Sequence, residues 1–149
     1  NIYLHFLLDL WFEKKIKPAC RGEAYLVRFA DDFVATFQYR EDVDRFQTKV
    51  RKRFAEFGLE LAEEKTRCIL FGRFAALTRQ RYGLGRPETF EFLGFKHVSG
   101  MDRAGRFALI RIPSAKSCRK FLSRTREWIM EYRHWRRWEQ QQHLSKMRL

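Results

Sequence analysis

Residues 23–39 read Glu-Ala-Tyr-Leu-Val-Arg-Phe-Ala-Asp-Asp-Phe-Val-Ala-Thr-Phe-Gln-Tyr, and this segment indicates the fold most clearly. Strand-forming side chains are frequent from Glu23 to Ala30 and again from Phe33 to Tyr39. Only Asp31 and Asp32 separate the two runs. Two strand-like runs divided by two residues predict a β-hairpin with this pair of aspartates at its tip.

Helices are predicted on both sides of the hairpin. Residues 1–17 are expected to form a helix that Pro18 ends, and residues 41–57 a second helix that Gly58 caps. Steps of three and four residues give the second helix one apolar stripe. The stripe consists of Val43, Phe46, Val50, Phe54 and Phe57.

The second half of the chain predicts further short strands and a long helix. Strands are expected at residues 59–62, 67–71, 90–98 and 107–112. Residues 72–88, rich in Gly and Arg, are expected to form a loop, and the last two strands to be joined by a turn containing Gly100 and Gly105. After Pro113, a helix with Ser114 as its N-cap is expected to reach at least Trp138. This order predicts an α+β fold: an antiparallel sheet with packed helices, followed by a basic helical segment.

The net charge of +13 is distributed unevenly. Residues 1–72 hold 13 Lys and Arg against 12 Asp and Glu, a net charge of +1, whereas residues 73–149 hold 18 against 6, a net charge of +12. Such an excess repels itself unless an anion neutralises it, so we expect a nucleic acid against the second half. A solvated face without a partner is the alternative.

Composition excludes several other classes of protein. The chain has no run of about 18 apolar residues, so no membrane span is predicted. Its three cysteines, Cys20, Cys68 and Cys118, are too far apart in sequence to suggest a zinc site or a disulfide framework.

Asp31 and Asp32 are the candidates for chemistry. A tight hairpin tip breaks the alternation of strand side chains, so both carboxylates can approach one point. Two close carboxylates repel each other unless a cation intervenes. Mg²⁺ accepts oxygen ligands, few of them from protein, and two such ions can clamp the attacking and leaving oxygens of phosphoryl transfer. The alternative is that the pair consists of ordinary turn residues.

The flanking residues favour the chemical interpretation. Phe29-Ala-Asp-Asp32 between two strands resembles the aromatic-x-Asp-Asp motif of reverse transcriptases, and three further segments resemble the same family in the same order. They are Phe57-Gly-Leu-Glu-Leu-Ala-Glu-Glu-Lys-Thr66, Phe71-Gly-Arg-Phe-Ala75 and Arg86-Pro-Glu-Thr-Phe-Glu-Phe-Leu-Gly-Phe95. Nearly the whole chain is similar to a bacterial group II intron-encoded reverse transcriptase and maturase. Residues 1–113 would be the C-terminal part of its palm and residues 114–149 the start of its thumb.

The resemblance implies roles for the residues of the hairpin. Asp31 and Asp32 match the paired catalytic aspartates that hold Mg²⁺, with Mn²⁺ as a substitute, and Asp31 would be the more important ligand. Phe29 and Ala30 match positions beside the nucleotide. Many relatives have Tyr where this chain has Phe29, so the ring is kept and the hydroxyl is lost.

Two later positions and a set of basic residues match nucleic-acid contacts. Lys65 matches a basic residue near the incoming triphosphate, or else is a surface lysine in a turn. Gly94 would let the primer backbone approach closely, or else marks a bulge. The basic residues expected at phosphates are Arg73, Arg79, Arg81 and Arg86 in the Gly- and Arg-rich loop, and Arg119, Lys120, Arg124, Arg126, Arg133, Arg136 and Arg137 in the last helix.

The resemblance implies that the partners are an RNA template or intron RNA, and a DNA primer. It also implies a location in the bacterial cytoplasm, within a ribonucleoprotein or near the nucleoid.

Reverse transcriptases also need an earlier palm aspartate, and Asp9, on the opening helix, does not match it. We therefore expect this chain to be inactive alone, and its uncovered apolar surface to favour self-association.

The alternative functions are an RNA-binding maturase remnant without catalysis and an unrelated small RNA-binding module. The module's Gly-Phe-Gly-Phe-Val-type strand motif is absent from the sequence.

Overall fold

A computed structural model describes residues 2–146, and the contacts within it divide the chain into two units, residues 1–68 and 69–149. Each unit contains helices and one antiparallel sheet, which confirms the predicted α+β fold class. Among the described residues, every helix is too short or too polar to cross a bilayer.

The first unit consists of a helix, a hairpin and a second helix. Helix α1 starts at Ile2–Leu4, continues with π-helical geometry through His5–Asp9 and Phe12–Ile16, and ends in the 3₁₀ turn Lys17–Ala19, which contains Pro18. The remaining elements are strands β1 (Ala24–Phe29) and β2 (Asp32–Phe37) and helix α2 (Arg40–Glu56). All four elements agree with the predicted ones to within a few residues.

Aromatic rings form the core of this unit. Phe12 of α1 is fully buried, and its ring centroid lies 6.0 Å from that of Phe37 on β2 and 5.7 Å from that of Phe46 on α2. Val50 and Phe54 continue the buried stripe of α2 as predicted. Rings in edge-on arrangements attract each other in addition to burying apolar surface. One ring each from α1, β2 and α2 therefore fixes the packing of these three elements.

Gly58 ends helix α2 as predicted. It adopts a positive φ of 69°, which a glycine reaches without steric cost. The Gly58 N–H donates to the Ala55 carbonyl, and the Leu59 N–H donates to the Phe54 carbonyl. This pair of bonds is the Schellman motif, and it satisfies carbonyl groups that the helix end leaves free.

The described part of the second unit has one helix, then three strands, then two further helices in chain order. Its elements are α3 (Ala75–Arg81), β3 (Phe90–Phe92), β4 (Phe95–Met101), β5 (Phe107–Pro113), α4 (Ala115–Tyr132) and α5 (Arg137–Lys146). Strand β4 lies between β3 and β5, and both pairings are antiparallel. Ser114 caps α4 as predicted, because its hydroxyl accepts a hydrogen bond from the Ser117 N–H.

Two predicted strands, residues 59–62 and 67–71, are wrong. The backbone of this segment makes turn bonds instead: the Lys65 and Thr66 N–H groups both donate to the Ala62 carbonyl. The predicted loop 72–88 contains helix α3, whose apolar side chains are too few for a clear stripe.

The second sheet and the last helix also differ from expectation. The segment 90–98 is not one strand, because Leu93 and Gly94 turn the chain between β3 and β4. Gly100 lies inside β4 opposite Ala108 rather than in the following turn. The long helix breaks at residues 133–136, where the Gln140 amide donates to the carbonyls of Tyr132, Arg133 and Trp135.

Removing the ring of Phe12 should destabilise the protein much more than removing a solvent-exposed ring of the same helix. We expect Phe12→Ala to lower the free energy of unfolding by about 3–5 kcal/mol through lost burial and an unfilled cavity. Phe6→Ala, at a side chain that is 62% exposed, is the matched control and should cost under about 1 kcal/mol. Urea unfolding measures both values. Equal losses would contradict the packing described above.

Candidate active site

The tip of the first hairpin is one residue earlier than predicted. Phe29 pairs with Asp32, so the two turn residues are Ala30 and Asp31, and Asp32 is the first residue of β2. Ala30 adopts a φ of 53°, a left-handed conformation that residues with a Cβ rarely adopt. The turn places Asp31 beyond the strand ends, and Asp32 directly after it on the sheet.

The outward face of the hairpin carries exposed apolar side chains beside Asp32. Residues that pair directly lie on one face, so Asp32 and Phe29 share a face with Val27 and Tyr25. The exposed fractions are 62% for Phe29, 57% for Val27 and 53% for Tyr25, and both aspartates are exposed. The two carboxylates therefore lie at the edge of an open aromatic and aliphatic surface, next to the ring of Phe29.

Arg28 lies on the opposite, inward face of the hairpin and hydrogen-bonds to the backbone of the turn. Its Nε and Nη2 donate to the two carboxylate oxygens of Asp9 on α1, at 2.7 and 2.6 Å. Its Nη1 donates to the Ala30 carbonyl oxygen at 2.7 Å. The Arg28 hydrogen bond holds the pKa of Asp9 below its ordinary value against the opposing effect of burial, and the same bond raises the pKa of Arg28.

Asp31 and Asp32 fit the donor set that Mg²⁺ uses. Magnesium is commonly held by one or two carboxylates, with water and substrate phosphate as the other ligands. Asp9 is not a third ligand, because both of its oxygens bond to Arg28 on the inner face. Within residues 2–146, no group of three or more His, Cys, Asp and Glu side chains is placed to hold a metal ion.

Lys65 lies in the first unit as well. It is exposed, in the turn that the Ala62 carbonyl closes by accepting hydrogen bonds from Lys65 and Thr66. The local structure is therefore that of a surface lysine in a turn. Its exposed ammonium group can also contact an anionic ligand.

Gly94 lies in a tight hairpin turn rather than at a bulge. Phe92 pairs with Phe95, and both turn residues have positive φ, 53° at Leu93 and 76° at Gly94. The Gly94 carbonyl accepts hydrogen bonds from the Ser114 N–H at 2.8 Å and the Ser117 hydroxyl at 3.1 Å. The start of helix α4 thus holds this turn in place.

The predicted basic residues are exposed with one exception. Arg79 donates from Nη1 to Glu88 at 3.0 Å and from Nη2 to the Leu84 carbonyl at 2.6 Å, so its guanidinium is engaged inside the second unit. The exposed members are Arg73, Arg81, Arg86, Arg119, Lys120, Arg124, Arg126, Arg133, Arg136 and Arg137. Helix α4 therefore carries cations that phosphates can reach.

Sequence reasoning missed the residues that hold the two turns. Arg28, Asp9 and Ser117 were not among the predicted site residues, although Arg28 alternates along β1 with Tyr25, Val27 and Phe29. The usual expectation for a half-buried strand turns the arginine outward and the three apolar residues inward. The packing of Leu26, Phe33 and Phe37 against the core reverses it, and Asp9 on α1 then bonds to the inward arginine. This packing joins distant parts of the chain.

Comparison with known proteins agrees with the geometry of the hairpin. A family model described as reverse transcriptase (RNA-dependent DNA polymerase) matches residues 1–97, about two thirds of the chain. The matched region includes the hairpin with Asp31 and Asp32, helix α2 and the turn at Gly94. No curated protein and no solved structure matches the chain.

Proposed function

The chain belongs to the reverse transcriptase family, and from this premise we propose that it is the C-terminal part of the palm (residues 1–113) and the start of the thumb (residues 114–149) of a bacterial group II intron-encoded reverse transcriptase and maturase. The function proposed for the parent enzyme is RNA-directed DNA synthesis within a mobile element. This places the protein in the cytoplasm, associated with intron RNA or the nucleoid.

The observation that carries the proposal is the turn between β1 and β2. Asp31 and Asp32 are adjacent, exposed and located at the end of a hairpin whose opposite face is packed into a core. A carboxylate pair on a rigid support can hold Mg²⁺ or Mn²⁺ without a large ordering cost. Bound there, the metal would stabilise charge on the attacking 3′ oxygen and on the leaving pyrophosphate.

Four further residues have binding roles in this proposal, three in the first unit and one in the second. Phe29, beside Asp32 on the outer face, offers its ring to the nucleotide, and the exposed turn residue Ala30 is the second contact proposed for it. Lys65 offers an exposed ammonium group to the triphosphate. Gly94 offers the exposed backbone of the second hairpin turn to the primer strand.

We propose that the chain does not polymerise by itself. The family's chemistry uses an additional palm carboxylate, and residues 2–146 supply no third metal-binding side chain near the pair. Two carboxylates leave more of the ion's coordination positions to water and phosphate, which weakens binding to the protein.

Binding of intron RNA without catalysis is the second candidate function. It is favoured by the net charge of +12 in residues 73–149 and by the row of exposed cations on helix α4. In a longer form of the enzyme, Asp31→Ala combined with Asp32→Ala separates the two functions. Loss of DNA synthesis with unchanged RNA affinity indicates that the parent enzyme does both; unchanged synthesis would contradict catalysis at this pair.

Metal binding by the purified chain tests the proposed site directly. We expect Asp31→Asn to weaken Mn²⁺ binding by about a hundredfold, the upper end of the effect of losing an outer-sphere support, because it removes a ligand itself. Asp32→Asn should weaken it by a smaller factor. Asp44→Asn, at an exposed acidic residue of α2, is the matched control and should leave the affinity unchanged. Titration followed by electron paramagnetic resonance measures the free ion. Equal Mn²⁺ affinities of the wild type and the three variants would contradict the site.

Templated, Mg²⁺-dependent primer extension by the purified chain would contradict its proposed inactivity.

The salt dependence of RNA affinity tests the proposed interface on α4. Each phosphate contact that is removed should make the slope of log affinity against log salt shallower by about 0.7 for single-stranded RNA. We expect this change in Arg119→Gln with Lys120→Gln. The matched control, Lys49→Gln with Lys52→Gln, removes the same charge from exposed positions of α2 and should leave the slope unchanged. Identical slopes in the two double variants would contradict an interface on α4.

The outer face of the first hairpin is proposed to favour self-association, because Tyr25, Val27 and Phe29 form an open apolar surface. We expect Val27→Lys to shift the chain toward monomer in light scattering, since it places a charge in the middle of this surface. A wild-type chain that is already monomeric at the working concentration would contradict the proposal.

A further inference from the structure

We propose that Arg28 is a positioning residue that holds the peptide between Ala30 and Asp31, and thereby aims the Asp31 carboxylate. The inference rests on the proposed metal site, and it assigns a role to a side chain that does not itself touch metal or substrate. Arg28 lies on the inward face of β1, whereas Asp32 points from the outward face. Its influence on the site must therefore pass through the backbone of the turn.

The guanidinium of Arg28 connects three parts of the first unit. Two of its nitrogens bond to the two oxygens of Asp9, and the third bonds to the Ala30 carbonyl. The Arg28 side chain is 14% exposed and that of Asp9 is 26% exposed, so water competes little with the bonds between these two side chains. The bond to the Ala30 carbonyl lies at the exposed turn. A two-point bond between guanidinium and carboxylate fixes the plane and the direction of the remaining N–H groups.

The turn requires such support because of its backbone. Ala30 has a φ of 53°, a conformation that a residue with a Cβ avoids unless its surroundings hold it. The carbonyl that Arg28 holds belongs to the peptide group that continues to the nitrogen of Asp31. Rotation of this peptide would change the direction of the Asp31 Cα–Cβ bond, and with it the position of the carboxylate.

Arginine suits this task and lysine does not. A guanidinium presents several donors in one plane, whereas an ammonium group is a single point on a flexible stem. Lysine at position 28 can keep the charge opposite Asp9, but it cannot bond both Asp9 oxygens and the Ala30 carbonyl in the same geometry. Arg28→Lys therefore separates the positioning of the turn from the neutralisation of Asp9.

The test compares Arg28→Lys with Arg40→Lys, a matched change in an exposed ion pair with Asp44 on helix α2. We expect Arg28→Lys to weaken Mn²⁺ binding by the chain about tenfold, as loss of an outer-sphere support commonly does. Arg40→Lys should stay within about twofold of the wild type. In ¹H–¹⁵N spectra without metal, the Asp31 amide signal should move in Arg28→Lys, while amide signals of α2 stay in place.

Circular dichroism must show both variants folded at the assay temperature, since a merely structural role would alter the melting temperature and not the affinity of the folded protein. If Arg28→Lys unfolds, Asp9→Asn is tested with the same two readouts. Asp9→Asn weakens the bonds that orient the Arg28 guanidinium and keeps the guanidinium itself. Mn²⁺ affinity within twofold of the wild type in a folded variant, with an unmoved Asp31 amide, would overturn the positioning role alone. Wild-type Mn²⁺ binding that does not depend on Asp31 would overturn the metal site instead.

Discussion

The packing of the inward face of the first hairpin against α1 and α2 determines which side chains of the two strands face the candidate metal site. Leu26, Phe33 and Phe37 pack against a core that contains Phe12 and Phe46. Because strand residues alternate between faces, this packing directs Phe29 and Asp32 outward. A shift of one residue in the pairing would turn Asp32 toward the core, where an unpaired charge is costly.

Both units hold a tight turn by the same physical means. In the first, Arg28 and Asp9 secure the carbonyl of Ala30; in the second, Ser114 and Ser117 secure the carbonyl of Gly94. Each held residue has a positive φ, and each secured carbonyl accepts hydrogen bonds from residues outside the two-residue turn. Such hydrogen bonds offset the conformational cost of these turns. The residues proposed to meet metal and primer therefore lie on turns that are held by hydrogen bonds to their carbonyls.

The elements with a strong local signal were predictable, and the details of the site were not. The stripe Phe46, Val50 and Phe54 and the cap at Gly58 are local patterns, and they located α2 correctly. The tip of the first hairpin was predicted one residue late, because Asp-Asp is a more usual turn pair than Ala-Asp and the positive φ of Ala30 has no sequence signal. Which face of β1 is inward depends on α1 and α2 together. The apolar residues Tyr25, Val27 and Phe29 suggest the wrong answer when the strand is considered alone.

The central claim is that Asp31 and Asp32, held at the end of the first hairpin, form the divalent metal site of the chain. Paramagnetic broadening of ¹H–¹⁵N signals by substoichiometric Mn²⁺ locates bound metal residue by residue. We expect the amide signals of Asp31 and Asp32 to broaden first, followed by those of their neighbours in the turn. Broadening centred on another acidic segment, such as Glu63 and Glu64, with the Asp31 and Asp32 signals intact, would contradict the claim.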